Sequence, residues 1–307
     1  MTYSIVARDP DTGDLGVAVQ SHYFGTGTVV TWAQAGVGAV ATQSIPEVSY
    51  GPKGLDLMRS GVSADQALAQ LVSVDPMEMV RQVAMVDAMG RTGTHTGAGC
   101  VGKAGHQAGN QVSVQANMME RDTVWAAMIE AYDGASAVDL AERLLLALEA
   151  AEAEGGDVRG RQSAALLIVS GPLTDAPWDQ KKFDLRVDDA EVPLVELRRL
   201  VSTNRAVHRL TEVFGSGILF APHVAPDGPE LAGAIEALDA AQSGLGTNRE
   251  PTFWSAALLA KAGRLDEARA RLAFASETNP RWGTFLESIA AAGVLPIDNP
   301  LVTGGDQ

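Results

Sequence analysis

The chain has 307 residues, 46% hydrophobic and 20% charged, a globular composition with room for about two domains at roughly 150 residues each. Its 23 Lys and Arg against 38 Asp and Glu give a formal net charge of -15, which argues against nucleic acid or an anionic membrane surface as a partner. A single cysteine, Cys100, excludes an intramolecular disulfide; the longest apolar runs fall far short of the ~20 residues that span a bilayer, and Arg8 and Asp9 interrupt any secretory signal, so a cytoplasmic protein is expected.

In chain order, residues 3–7 are rich in strand formers, Asp11-Thr12-Gly13-Asp14 supplies a turn, and residues 15–19 return as the second arm of a hairpin. Strands are predicted at 28–32 and 38–42, followed by helical spacing at 54–58 and 64–72. The order then repeats, with strands at 82–87, 93–95 and 111–114, helices at 123–132 and 139–154, and strands at 163–169 and 183–187. Residues 193–214 read as one amphipathic helix that buries Leu194, Leu197, Val201, Leu210 and Val213. Hairpins followed by paired helices, rather than strict strand-helix alternation, predict antiparallel sheets covered by helices, an α+β class. Glycine and proline crowd the next stretch, so a first domain over 1–215, a linker over 216–229 and a small all-α domain over 230–307 are expected. In that last domain, helices at 230–241, 252–262 and 265–276 are predicted, and residues 253–280 resemble a single tetratricopeptide-type repeat; one unit reads equally as an ordinary helical hairpin.

Chemistry centres on Thr2, which opens a strand one residue after an initiator Met of the kind removed before small residues. A hydroxyl beside its own α-amine, whose reference pKa is about 7.7–8.0, combines nucleophile and base. A Met-Thr start also fits an idle terminus, so the neighbours matter. Gln43, in Thr42-Gln43-Ser44, and the pair Gln115 and Asn117 stand at predicted strand ends, where their amides fit either an oxyanion site or turn chemistry. His95 reads as a pocket residue or as a hydrogen-bonded structural one. The histidines His22, His95, His106, His208 and His223 show no ligand spacing, so no metal site is expected. The glycines from Gly97 to Gly109 lack the order of a phosphate loop, Cys100 reads as a small buried thiol, and Asp184, Asp188 and Asp189 read as solvated carboxylates.

Several segments in the right order, 1–9, 15–19, 35–43, 50–54, 95–97 and Gly156-Asp-Val-Arg-Gly-Arg-Gln-Ser163, resemble the DUF1028 family over roughly residues 1–200. That resemblance implies membership of the N-terminal-nucleophile hydrolase superfamily and a four-layer αββα sandwich. It implies Thr2 as nucleophile, backbone near Gln43 as oxyanion site, and Gln115, Asn117 and Asp157 positioning the α-amine or substrate. Asp157 also reads as a loop cap, and Arg161, beside Arg159, either receives a substrate carboxylate or compensates nearby acids. Compared with proteasome-type subunits, the second strand ends in Val19-Gln20-Ser21 instead of Asp and residues 28–32 contain no Lys; Ser21, His22 and His95 are the available substitutes, with Ser163 completing the candidate pocket. The expected substrate is a small-molecule or peptide amide, with no cofactor and no metal. The C-terminal segment is similar to a helical module named for peptidoglycan binding. The rival reading is an inactive sandwich that binds a protein or glycan partner through those helices, including Trp254 and Trp282. Homodimer formation is a further expectation of the sandwich.

Overall fold

The computed structural model describes residues 2–220 and 226–304; Met1, residues 221–225 of the expected linker and residues 305–307 lie outside them. Packing divides the chain into one unit ending at Val201 and a second starting at Ser202. The division therefore falls earlier than 216–229, inside a continuous helix, because Leu210 and Val213 of that helix already belong to the second unit's hydrophobic core.

The first unit contains strands β1 (Thr2–Arg8) and β2 (Leu15–Ser21), helix α1 (Gly27–Val30), strands β3 (Thr31–Gln34) and β4 (Gly38–Ser44), and helices α2 (Tyr50–Arg59) and α3 (Ala64–Ser73). Strands β5 (Arg81–Asp87), β6 (Thr92–Thr96), β7 (Lys103–Gly109) and β8 (Val112–Met119) follow, then helices α4 (Val124–Gly134) and α5 (Leu140–Ala153). Strands β9 (Ser163–Val169) and β10 (Lys181–Val187) lead to α6 (Pro193–Gly215). Two antiparallel sheets result, one ordered β10-β9-β2-β1-β8-β7 and the other β3-β4-β5-β6.

Three differences from the sequence reading bear on the site. The run at 28–32 begins as the helical turn α1: the Thr31 hydroxyl donates to the Gly27 carbonyl at 2.8 Å, and the Thr26 N–H is held by Ser163 Oγ at 3.1 Å, which overrides the β-branched composition. The glycine-rich stretch contains strand β7, where Gly105 leaves room for the Trp125 ring; a Cβ there would come within 2.8 Å of it. Strand β8 continues to Met119, so Gln115 and Asn117 lie within a strand and not at its terminal turn.

Strand alternation assigns each side chain to a layer. On β1, Tyr3, Ile5 and Ala7 join the core shared with α4, α5 and the start of α6, while Val6 faces the second sheet. The same parity puts Val17, Val19, Ala39, Ala41, Ala84, Val86, Ala165 and Leu167 between the sheets. Outside the second sheet, Val40, Val83 and Met85 pack with Leu55, Met58 and Leu68 of α2 and α3. Helix α5 begins at Asp139, whose carboxylate accepts the Glu142 N–H at 2.9 Å, and lays Leu144, Leu145 and Leu148 on the first sheet. Gly16 permits that approach, since a Cβ there would meet Leu144 at 2.7 Å.

The second unit continues from α6 through α7 (Gly228–Leu245), α8 (Glu250–Lys261), α9 (Leu265–Ser276), α10 (Trp282–Ala291) and α11 (Pro300–Thr303). Helix α8 is its axis, buried from Pro251 through Ala260, and Phe253 stacks on Trp282 at 4.8 Å between ring centres. Helices α10 and α11 extend the helical domain beyond the segments predicted. Among the described residues, no helix is long and apolar enough to cross a membrane.

The turn between β3 and β4 gives a direct test of backbone constraint. Gly36 has φ of 68°, and a Cβ on it would lie 2.3 Å from the backbone of Leu173. Gly36→Ala should lower unfolding free energy by about 2 kcal/mol or more in urea titrations, through a disfavoured left-handed backbone conformation and overpacking. Gly134→Ala, at the end of α4 with nothing within 4 Å, should leave stability within about 0.5 kcal/mol of the parent.

Candidate functional site

The parity that fills the inter-sheet layer with valine and alanine continues to the end where β1 starts, but there the residues are polar. Thr2, Ser4, Ser21, Gln43, Gln82, Ser113, Gln115, Asn117 and Ser163 are all buried. Buried amides and hydroxyls without partners cost free energy, so their bonding determines the local geometry.

Thr2 pairs in register with Ser21 of β2 and Asn117 of β8, and its Oγ1 lies 3.0 Å from Ser21 Oγ. Its carbonyl accepts from Gln43 Nε2 at 3.3 Å and Asn117 Nδ2 at 3.4 Å. The Gln43 amide also donates to Gln82 Oε1 at 2.8 Å and to the Gln115 carbonyl at 3.3 Å, while its Oε1 accepts from Ser4 Oγ at 2.6 Å. Gln115 Nε2 donates to Ser4 Oγ at 2.5 Å, and its Oε1 accepts from Ser113 Oγ at 3.2 Å. Asn117 Nδ2 donates to Gln82 Oε1 at 2.9 Å; Asn117 Oδ1 is buried and has no partner. Just beyond Gln43 and Asn117, Ser44 and Met118 take left-handed φ values of 71° and 56°, uncommon for residues other than glycine.

Gln82 was not singled out from the sequence. Its Nε2 donates to Thr96 Oγ1, the Gly105 carbonyl and the Ala116 carbonyl at 3.0, 3.1 and 2.9 Å, and its Oε1 receives both Gln43 and Asn117. A signal was available: Gln82, Ser4 and Gln115 are polar at positions that alternation assigns to the interior.

A second group supports this end from the loops. Asp157 is buried beside β8 through a bridge to Met119, and its carboxylate accepts the N–H groups of His22 at 3.2 Å and Arg159 at 2.9 Å and pairs with the Arg159 guanidinium at 3.2 Å. The His22 ring is half-buried, with Nδ1 unpartnered. Ser163 ties down the segment after β2, accepting from the Thr26 N–H and donating to the Tyr23 carbonyl at 2.5 Å.

Two predicted residues stand elsewhere. His95 pairs with Val83 and therefore shares the outer face of the second sheet; its Nε2 lies 2.8 Å from the Glu78 carbonyl and 3.2 Å from the Glu78 carboxylate. Arg161 pairs with Glu152 of α5 at 3.3 Å, and the same glutamate accepts from the Tyr3 hydroxyl at 2.6 Å, on the opposite face of β1 from Thr2. Burial, reinforced by Glu152, pushes the Tyr3 phenol well above its usual pKa, which keeps it a neutral donor. Arg161, Glu149, Glu152, Leu194 and Val195 line a separate cavity of about 320 Å³. No group of three or more potential metal ligands occurs among the described residues.

Residues 2–197 match a family described as "Family of unknown function (DUF1028)". The chain is also similar to the crystal structure of a DUF1028 protein from Silicibacter pomeroyi, with 30% identity, a TM-score of 0.59, and coverage of 65% of this chain and 84% of that one. No curated protein matches the sequence.

The polar network has an energetic consequence. Gln43→Leu would leave Ser4, Gln82 and the Thr2 carbonyl short of partners in a dry layer. Urea titration should show a loss of about 1–3 kcal/mol, the scale of stranding buried hydrogen-bonding groups.

Proposed function

Since the chain belongs to the DUF1028 family, we propose that it is an N-terminal-nucleophile amidohydrolase with Thr2 as nucleophile, exposed by removal of Met1. The layers described above support the four-layer αββα sandwich that this reading requires: α4 and α5 on the first sheet, the two sheets face to face, and α2 and α3 on the second. The observation that carries the proposal is the setting of Thr2, a buried hydroxyl at the first position of an interior strand, 3.0 Å from Ser21 Oγ, with its carbonyl held by two side-chain amides.

In this mechanism Thr2 Oγ attacks the carbonyl carbon of a C–N amide while the Thr2 α-amine takes the hydroxyl proton. Backbone N–H groups at the turn after Gln43 meet the oxyanion. Collapse of the tetrahedral intermediate breaks the C–N bond, and the proton held by the α-ammonium passes to the departing nitrogen. Water, deprotonated by the same amine, then attacks the acyl ester, releasing the acid and regenerating the Thr2 hydroxyl. Every proton moved is supplied by Thr2 and water, so no cofactor enters the cycle. The Gln43 side chain, with both N–H groups engaged internally, acts as a positioning group for Thr2. Gln115 acts at one remove through Ser4, and Asp157 fixes the segment that carries Ser21 and His22. The substrate class is a small-molecule or peptide amide.

Intact mass spectrometry should find the chain without Met1, and a β-lactone probe should add once, at Thr2. Thr2→Ala should abolish labelling. Ser21→Ala, which removes the hydroxyl 3.0 Å from Thr2 Oγ1, should slow it by about 10-fold, the scale of one hydrogen bond to the nucleophile lost. Retention of Met1, or equal labelling of Thr2→Ala, refutes the nucleophile assignment.

A further inference from the structure

The direction in which the Asn117 carboxamide faces is determined by partners that have no alternative. Backbone carbonyls only accept, so the Gly105 and Ala116 carbonyls at 3.1 and 2.9 Å fix the nitrogen end of the Gln82 amide toward themselves. Gln82 Oε1 is thereby turned toward Gln43 and Asn117, and an oxygen acceptor at 2.9 Å requires Asn117 to present its Nδ2. The Thr2 carbonyl, on the same nitrogen at 3.4 Å, adds a second accept-only partner. Asn117 Oδ1 is left as an acceptor, fully buried and unpartnered, next to the first residue of β1. The ladder shows what lies opposite. The Arg8 N–H donates to the Gln111 carbonyl at 2.8 Å, and stepping back in twos along the β1–β8 register makes Thr2 and Asn117 a hydrogen-bonded pair, so the nitrogen of Thr2 faces β8.

We infer that Asn117 Oδ1 is the side-chain acceptor for the α-ammonium of Thr2, beside the Asn117 main-chain carbonyl that the ladder already places opposite its nitrogen, and that Gln82 is the positioning residue that holds it in that orientation. The inference rests on the nucleophile reading above, since it needs the amine that removal of Met1 exposes, and it assigns the atom that favours the protonated amine formed when Thr2 Oγ gives up its proton. A carboxamide rotated by half a turn would place an NH2 group against the ammonium. Gln82 prevents that rotation through its bonds to β7 and β8, while Thr96 Oγ1, 2.8 Å from His106 Nδ1, completes its surroundings.

The test is the midpoint of Thr2 α-amine titration, read from the pH dependence of cyanate addition at residue 2 by peptide mass spectrometry. The full chain with terminal Thr2 is used, obtained by cellular removal of Met1 or, where Met1 persists, from a fusion cleaved directly before Thr2. The charged and titratable side chains around this end are His22, Asp157, Arg159 and Arg161 on the first sheet's loops, Tyr3 with Glu152 on its outer face and His106 on its edge strand β7, and Arg81 with Asp75 and Glu47, and His95 with Glu78, around the second sheet. All are retained in every variant, so differences report the acceptor. Asn117→Leu should lower the midpoint by about one unit, the scale of one hydrogen bond lost from an ammonium. Gln82→Met should lower it part of the way. Asn117→Asp should raise it, and in the Gln82→Met background the aspartate should remove the Gln82 effect, because both carboxylate oxygens accept and need no orienting. For any variant that fails to fold, the parent provides the measurement: its Asn117 side-chain amide NMR signals should titrate with the cyanate midpoint. An unchanged midpoint in Asn117→Leu, or Asn117 signals indifferent to amine titration, overturns the inference even if the lactone labels Thr2. A shifted midpoint in a chain that the lactone never labels sustains the acceptor and sinks the hydrolase.

Discussion

The arrangement at the start of β1 depends on the side-chain amide of Gln82. It is fully buried between the sheets, where an amide must find partners within the protein. Its nitrogen is anchored by carbonyls of the first sheet, although the residue itself belongs to the second, so one side chain joins the two sheets at this end. At the other end the joint is made by valine and alanine, which pack closely but impose no direction. The hydrophobic end supplies cohesion; the amide end supplies orientation. Asn117 takes its orientation from Gln82 and the Thr2 carbonyl, Gln43 from Gln82 and the carbonyls of Thr2 and Gln115, and both amides hold the carbonyl of Thr2.

Strand alternation then separates two chemistries that are adjacent in sequence. Thr2 and Ser21 face inward; Tyr3 and Gln20, their immediate neighbours in register, face α5, where the Tyr3 hydroxyl meets both Gln20 and Glu152. The charged groups recruited by Tyr3 are consequently on the far face of β1 from the Thr2 hydroxyl. Arg161 belongs to that far face through Glu152, which is why its sequence proximity to Ser163 does not translate into a place beside Thr2. The same logic removes His95 from the inter-sheet layer while admitting Thr96, whose hydroxyl reaches Gln82.

Much of this was legible in the sequence where composition and environment agree. The strand at 163–169, apolar after Ser163, and the helix at 265–276 fall at their predicted bounds. Legibility failed where a tertiary partner overrode a local preference. The β-branched residues at 28–30 form a helical turn held from Ser163, more than a hundred residues away, and β7 was obscured because glycine, alanine, histidine and glutamine carry little strand preference. At the site, Thr2, Ser21, Gln43, Gln115 and Asn117 are all legible as candidates, but the sequence places Gln115 and Asn117 at a strand end whereas they lie within β8. Gln82 is hard to single out, because a glutamine near a strand start ordinarily reads as solvated. Its role exists only once two sheets face each other.

The choice of amides over charges at this end also follows from the chemistry proposed for it. The inward-facing polar residues here, Thr2, Ser4, Ser21, Gln43, Gln82, Gln115 and Asn117, carry no ionisable side chain, in a protein whose formal net charge is -15. A carboxylate in the same dry layer would need its own counter-charge and would bind an ammonium strongly, drawing the terminal amine away from the neutral form that a base requires. A carboxamide oxygen favours the ammonium more weakly, leaving the amine able to release and recapture a proton near neutral pH. Such a weak acceptor works only if it faces the right way, because an amide, unlike a carboxylate, has a wrong end. The buried bonds that fix Gln82 are therefore the structural counterpart of that electrostatic choice: neutrality at the terminus demands orientation, and orientation demands a second sheet.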